Sequence, residues 1–290
     1  MIHKNFVAGS NIPPLAADSD KSPAIPRRSS ARKFIFDSHA HYDMEAYDDD
    51  RDEVLSAMPQ EGVCAVLNCA CDLASCEKTL ALAARYPHVY AACGVHPHSA
   101  KETAPETLLP FLAQCMQDDN CVAVGEVGLD YHYDHSPREV QKEIFEAQLR
   151  FAVERDFPVV VHDREAHEDV MALLRKYRPR GVLHCFSGSV ETMRETVALG
   201  MYIGLGGAVT FKNAQKPAAV AAQMPLERLL LETDAPYMTP MPHRQKRNHS
   251  AYIAIVAQKI AELRGVSAEG ILVAARENAC ELFGVSVEGM

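Results

Sequence analysis

The sequence lacks the features of a membrane or secreted protein. No stretch approaches the roughly 18 apolar residues that span a membrane. The N-terminus has no apolar segment followed by a small-residue cleavage site, so we expect no secretory signal. The cysteines number nine, an odd count, and are scattered rather than arranged as a disulfide framework. We therefore expect reduced thiols and a cytoplasmic protein with no membrane partner.

The chain also lacks an excess of positive charge. Its formal net charge is -10, from 29 Lys and Arg against 39 Asp and Glu. This balance argues against a protein that holds nucleic acid by a large positive field. It does not exclude a nucleic-acid enzyme, because bound divalent cations and a local basic loop can reverse the sign at one site.

Residues 1–31 have few large apolar side chains and include Pro13, Pro14, Pro23 and Pro26. This composition predicts a flexible N-terminal extension. The remaining residues, 32–290, show no internal boundary, and the chain is 48% hydrophobic, which is ample for a large core. We predict one domain there, with no obligate protein partner evident.

From residue 33 onward, short apolar runs alternate with segments of helical periodicity. The runs are 33–38, 63–69, 89–95, 121–127, 158–162, 181–186, 201–205 and 229–233. They do not alternate with polar residues, which is typical of parallel strands buried on both faces. Eight strands alternating with helices predict an α/β fold, the (β/α)8 TIM barrel, whereas a doubly wound sheet would need fewer strands. One predicted helix has apolar residues at helical spacing over 140–155 and opens at residues 136–139, with Ser136 as its N-cap and Pro137 at its first position.

Polar residues interrupt or close several of these runs. The candidate metal ligands are His39, His41, Glu126, His162, His184 and Asp234. Burying so many imidazoles and carboxylates is costly unless something pairs them, and a metal cluster is the simplest partner. His39 and His41 lie two apart, so a strand places both on one face, and the two oxygens of Glu126 suit a bridge between two ions. Mixed nitrogen and oxygen ligation suits Zn²⁺, Mn²⁺ or Fe²⁺, and Mg²⁺ less well.

These residues lie in motifs by which the chain resembles the TatD family of metal-dependent hydrolases, within the amidohydrolase-like barrels. The motifs are FDSHAH (36–41), GVHPH (94–98), GEVGLDY (125–131), VHDR (161–164), HCFSG (184–188) and ETDAPY (232–237). They occur in family order, and the resemblance covers residues 33 to about 284. It implies the same barrel fold.

The resemblance also implies roles for individual residues. The family pattern assigns His39, His41, Glu126 and Asp234 to one metal ion, and His162 and His184 to the second, with Glu126 bridging. The cofactors would be two divalent metal ions, Mg, Mn or Zn. His96 would contact the scissile phosphate, while Asp234 and Glu126 would be the catalytic carboxylates, with Asp234 orienting or deprotonating the attacking water. The implied activity is that of a phosphodiesterase, specifically a deoxyribonuclease acting as a 3′–5′ exonuclease.

Basic residues near the predicted ligands are candidates for phosphate contact. Arg164 follows His162 by two residues, and Arg244 and Arg247 lie in the loop after the eighth run. This loop departs from the family pattern P-H-R-G-K-R-N-E-P in two places. Gln245 replaces a glycine, so a positive φ there would be strained, and His249-Ser250 replaces Glu-Pro.

Three functions remain open on the sequence alone. The leading one is an exonuclease that takes a nucleic-acid end, or a small phosphoester, into a metal-lined pit. The same metal site would serve a D-aminoacyl-tRNA deacylase or a hydrolase of small esters and amides. The third is a non-catalytic binding barrel that keeps metal only for stability, against which the complete set of ligand positions argues.

Overall fold

In the computed structural model, residues 34–287 are described, and eight parallel strands form a single sheet in chain order. The strands are β1 (Ile35–Ala40), β2 (Val63–Cys69), β3 (Val89–Cys93), β4 (Cys121–Asp130), β5 (Val159–Arg164), β6 (Gly181–Leu183), β7 (Tyr202–Leu205) and β8 (Leu229–Leu231). Each predicted apolar run overlaps one of them, and β1, β4 and β5 extend past the ends of their runs. The predicted (β/α)8 barrel is therefore confirmed.

Helices alternate with the strands and cover them. They are α1 (Arg51–Ala57), α2 (Leu73–Arg85), α3 (Pro105–Cys115), α4 (Arg138–Glu154), α5 (His167–Tyr177), α6 (Val190–Ala198), α7 (Gln215–Gln223), α8 (Ile253–Arg264) and α9 (Ala268–Phe283). Every residue of β1, β2, β4, β6, β7 and β8 is buried. Burial on both faces explains why the strand sequences are continuously apolar instead of alternating.

The predicted capping of α4 is wrong. The helix begins at Arg138, Pro137 stands at the N-cap position, and no side chain caps it. The Ser136 hydroxyl instead donates to the His98 carbonyl (2.9 Å) and accepts from the Lys101 N–H (3.1 Å). The Ser136 hydroxyl therefore bonds His98 and Lys101 in the β3–α3 connection and does not cap α4, as the local sequence pattern predicted it would.

The first and last strands meet through a short hydrogen-bonded seam. Ala40 and Ala235 form an isolated parallel bridge. The His41 N–H donates to the Ala235 carbonyl (2.8 Å), and the Asp234 N–H donates to the His39 carbonyl (2.9 Å). The seam that brings the two ends of the sheet together thus also places three predicted ligands side by side.

The N-terminal extension and the absence of a membrane span were also predicted. The predicted extension, residues 1–31, lies outside the described residues. Among residues 34–287, none of the helices has the length and apolar content needed to cross a membrane.

Candidate metal centre

Four side chains converge where β1 and β8 end. The Nε2 atoms of His39 and His41 are 3.0 Å apart, and Glu126 Oε2 lies 3.3 Å from the first and 3.4 Å from the second. Asp234 Oδ1 lies 3.4 Å from His41 Nε2 and 3.8 Å from His39 Nε2. Donor atoms held tetrahedrally at metal–ligand distances of ~2.0–2.1 Å are about 3.3–3.4 Å apart. The spacing of this first cluster therefore suits one ion.

A second cluster forms around the other oxygen of Glu126. Glu126 Oε1 lies 2.7 Å from His184 Nε2 and 2.9 Å from His162 Nδ1, and these nitrogens are 3.2 Å apart. His96 Nε2 approaches the same oxygen at 3.6 Å. The rings of His39 and His184 stack with centroids 3.8 Å apart, so the two clusters adjoin. Glu126 thus presents one carboxylate oxygen to each cluster.

The structure brings all six sequence-predicted ligands together from five parts of the barrel. His39 belongs to β1 with His41 directly after it, Glu126 to β4, His162 to β5, His184 follows β6 and Asp234 follows β8. Asp234 has a left-handed backbone, with φ of 58°, an uncommon conformation that aspartate tolerates better than most residues. Its N–H bond to the His39 carbonyl holds it in that conformation.

The pKa values of Glu126, Asp234 and His39 favour cation binding, whereas neighbouring groups outweigh burial and raise the pKa values of His41, His162 and His184. Burial alone would raise the pKa of Glu126, but the charges of His184, His96 and His39 outweigh it and hold the pKa well below its usual range. Burial also raises the pKa of Asp234, yet its hydrogen bond with His41 lowers the value below normal. For His39, burial lowers the pKa to about 4. Two carboxylates and a neutral imidazole are the forms that bind metal.

One observation tests directly whether a metal ion fits. His41 Nδ1 lies 2.7 Å from the Cys69 carbonyl, which only accepts, so this nitrogen carries the proton. In the neutral ring, His41 Nε2 then bears a lone pair, which faces the acceptor oxygens of Glu126 and Asp234 at 3.4 Å. Opposed lone pairs require a shared cation or an extra proton. The residues therefore fit a divalent ion, with the backbone contact orienting His41 as a ligand.

Asp130, the last residue of β4, is a buried partner of the second cluster that the sequence reasoning missed. Its Oδ2 lies 3.2 Å from His162 Nε2 and 2.9 Å from His98 Nε2. Its Oδ1 accepts the N–H groups of His132 (3.0 Å) and Tyr133 (2.9 Å). Burial would raise the pKa of Asp130, but the hydrogen bonds from His162 and His98 hold it well below normal. The sequence did contain a signal for Asp130: it is an aspartate at the end of a long apolar stretch, the same position that the predicted ligands occupy on other strands.

The predicted phosphate contacts differ in their surroundings. His96 is buried against Glu126, and its Nδ1 accepts the His98 N–H (3.2 Å), which leaves the proton of the neutral ring on Nε2. Arg164 and Arg244 are exposed and cover the rings of Tyr133 (4.6 Å) and Phe211 (4.3 Å). Neither forms an ion pair with a carboxylate of residues 34–287.

Arg247 and Gln245, in the loop after β8, differ from these expectations. The Arg247 guanidinium binds both oxygens of Asp50, with an Nη1–Oδ1 distance of 2.8 Å, and lies over the Tyr47 ring. Arg247 is thus already paired, whereas Arg164 and Arg244 have no carboxylate partner within residues 34–287. Gln245 does not have a positive φ, so the strain expected from replacing the family's glycine is absent.

Comparison with known proteins agrees with this geometry. The family model described as TatD related DNase matches residues 36–284. The uncharacterized metal-dependent hydrolase YabD of Bacillus subtilis (strain 168) is 40% identical over 255 residues, covering 87% of this chain and 100% of that protein. The 3′-5′ ssDNA/RNA exonuclease TatD of Citrobacter rodentium (strain ICC168) is 35% identical over 264 residues, with 88% and 99% covered. The crystal structure of YjjV, a TatD homologue from Escherichia coli K12, superposes with a TM-score of 0.82 at 34% identity, covering 88% and 99%.

Proposed function

The chain belongs to the TatD-related DNase family of metal-dependent hydrolases, and from this premise we propose that it is a 3′–5′ exonuclease of single-stranded DNA. The observation that carries the proposal is Glu126, whose two oxygens face two adjoining sets of donors. A carboxylate shared in this way is suited to two divalent ions in one pit. The relative from Citrobacter rodentium, itself a 3′-5′ ssDNA/RNA exonuclease, supports the choice of substrate.

The proposed chemistry is hydrolysis of the terminal phosphodiester bond. Two divalent ions, held by the six ligands, would activate water and neutralise charge developing on the phosphate. The side chain of Asp234 is 18% exposed, against 3% for that of Glu126, so Asp234 is the carboxylate that reaches solvent. We assign it to orient the attacking water and accept its proton. His96, with its proton on Nε2, would donate a hydrogen bond to a phosphate oxygen.

Two cations support a phosphate substrate over a neutral ester. Arg164 and Arg244 are exposed on segments that follow or end barrel strands, with aromatic rings beneath them and no carboxylate partner among the described residues. Planar guanidinium groups bind phosphate oxygens in pairs, and stacking on a ring orders the group in advance. Hydrolysis of a small neutral ester would have no use for them.

The test is cleavage of 5′-labelled single-stranded DNA by metal-free protein, with Mg²⁺, Mn²⁺ or Zn²⁺ added back singly. We expect a ladder that shortens from the 3′ end, requires metal and disappears in Asp234→Asn. The matched control is Asp119→Asn, an exposed aspartate before β4, which should leave the ladder unchanged. Absence of cleavage with every metal would contradict the proposal. The next substrates would then be D-aminoacyl-tRNA and small esters.

A further inference from the structure

Two exposed tyrosines stand out at the mouth of the barrel. Among the described residues, Tyr133 is 50% exposed and Tyr237 is 53% exposed, and the other large hydrophobic side chains exposed to a similar degree are both valines. Tyr133 follows β4, which contains Glu126, and Tyr237 comes three residues after Asp234. Large aromatic rings left in solvent are informative because burying them is favourable. Both therefore lie in segments that leave strands at the predicted metal site.

The backbone of Tyr133 is fixed relative to the second cluster. Its N–H donates to Asp130 Oδ1 (2.9 Å), while Oδ2 of the same buried carboxylate lies 3.2 Å from His162 Nε2. One side chain therefore links the turn that carries Tyr133 to a predicted ligand. The ring is exposed, but the backbone that positions it is anchored.

Tyr133 is part of an exposed aromatic and cationic surface. The His135 ring stacks on it with centroids 5.5 Å apart and planes 2° apart, and the Arg164 guanidinium lies 4.6 Å from its centroid. Single-stranded nucleic acids are bound by such combinations, because every base has a flat face that stacks on an aromatic ring. The nearby guanidinium adds charge for the backbone phosphates.

Tyr237 is anchored in a corresponding way near the first cluster. Its N–H donates to the Asp234 carbonyl (2.8 Å), and its carbonyl accepts the side-chain amide of buried Asn248 (2.7 Å). Tyr133 follows the carboxyl end of β4 and Tyr237 follows that of β8, so both belong to segments at the same end of the barrel.

We propose that Tyr133 and Tyr237 form a base-stacking subsite that holds the unpaired bases of a strand whose phosphate lies at the metal centre. This inference rests on the proposed function and assigns two residues to its preference for a single strand. It selects a single strand with exposed bases over a small phosphoester, which offers no base, and over a duplex, whose bases are stacked internally. Arg164 would meet the phosphate next to the base on Tyr133.

The experiment measures binding to two strands that differ only in their bases. Fluorescein-labelled single strands with hydrolysis-resistant phosphorothioate linkages, one with bases and one fully abasic, are titrated with metal-loaded protein by anisotropy. Stacking contributes about 1–3 kcal/mol per base, so each stacked base should make the wild type bind the intact strand about 5- to 150-fold more tightly than the abasic strand. We expect this ratio to fall to near one in the double variant Tyr133→Leu/Tyr237→Leu.

Two further variants serve as controls. Tyr133→Phe/Tyr237→Phe keeps the rings and should keep the ratio. Tyr177→Leu removes a half-buried tyrosine at the end of α5 and should also keep it. Equal affinity of the wild type for both strands, or a ratio that survives the double leucine substitution, would overturn the subsite. Cleavage assays separate the two claims: cleavage without base-dependent binding rejects the subsite alone, whereas base-dependent binding without cleavage rejects the exonuclease alone.

Discussion

At the scale of single residues, the centre depends on which atoms carry protons. The Cys69 carbonyl fixes the proton of His41 on Nδ1 and turns a lone pair toward Glu126 and Asp234. The His98 N–H donates to His96 Nδ1, so the proton of the neutral His96 ring lies on Nε2, which faces Glu126. Neighbouring backbone groups thus assign one histidine to accept a cation and another to donate a hydrogen bond.

His249, one of the departures from the family pattern, predicts a pH dependence of stability. Burial lowers its pKa from 6.5 to about 4, so between these values the unfolded chain binds more protons than the folded chain. The free energy of unfolding should therefore fall as pH drops below about 6.5, and the loss should level off near pH 4. The side chain is 22% exposed. We expect His249 to account for about 1–2 kcal/mol of the decrease between pH 7 and pH 5.

Urea unfolding of the wild type and His249→Gln at both pH values checks this expectation. The variant should lose less stability on acidification than the wild type by that amount. Identical pH dependence in the two proteins would show that His249 is not responsible.

The residues themselves show why the sequence predicted part of this centre and not the rest. The convergence of the six predicted ligands was predictable because each places a costly polar group in or beside a buried strand. Asp130 ends a buried strand in the same way, yet its partners His98 and His162 come from other parts of the chain. The ion pair between Arg247 and Asp50 likewise joins residues that are far apart in sequence. Tertiary partners of this kind leave no local signal.

At the scale of elements, the pairing of β4 with β5 positions His162. Gly128 lies opposite His162 in the parallel register. Its φ is 146°, and a Cβ built there would lie 2.0 Å from the His162 carbonyl oxygen. Only glycine allows the two strands to approach at this point. The backbone conformation of Gly128 in β4 thus helps to position the predicted ligand His162 in β5.

Gly128→Ala should therefore lower stability and disturb the second cluster. The clash must move backbone, so we expect a loss of at least about 2–3 kcal/mol in the free energy of unfolding. The matched control is Gly270→Ala in α9, where the nearest atom to an added Cβ is Ser267 Oγ at 3.1 Å. Its effect should stay within about 1 kcal/mol, because alanine favours helix. Equal urea-unfolding results for the two variants would refute the requirement at Gly128.

Element order and type were predictable, whereas some element ends were not. Eight continuous apolar runs predicted eight buried strands because helices cover the outer face of such a sheet and side chains of the strands fill its interior. The start of α4 was predicted wrongly because Ser136 bonds the β3–α3 connection in preference to its own helix. N-cap rules consider only hydrogen bonds between a side chain and nearby backbone groups, so they do not account for partners that are distant in sequence.

At the scale of the whole molecule, the charge distribution favours a strand end over a long duplex. The net charge of -10 gives little general attraction for DNA, while exposed Arg164 ends β5 and exposed Arg244 lies in the loop after β8. The predicted ligands lie at the strand ends of the barrel, with Glu126 only 3% exposed. The middle of an intact duplex cannot reach such a site without unpairing.

Closed circular duplex DNA should consequently resist the enzyme under conditions in which linear single strands are shortened. The measurement is conversion of supercoiled to nicked circles on a gel, with a linear single strand of equal nucleotide content as the positive control. Efficient nicking at low enzyme concentration would contradict the expected need for a free or unpaired end.

The most direct test of the account is the metal content of Glu126→Ala. Elemental analysis after equilibrium dialysis should find two divalent ions per chain in the wild type and in Glu143→Ala, an exposed glutamate of α4. Loss of both Glu126 oxygens should lower occupancy at both positions, to less than one ion per chain, in a protein that circular dichroism shows to be folded. Two full ions in folded Glu126→Ala would show that Glu126 is not shared between the clusters, and the proposed two-metal centre would be wrong.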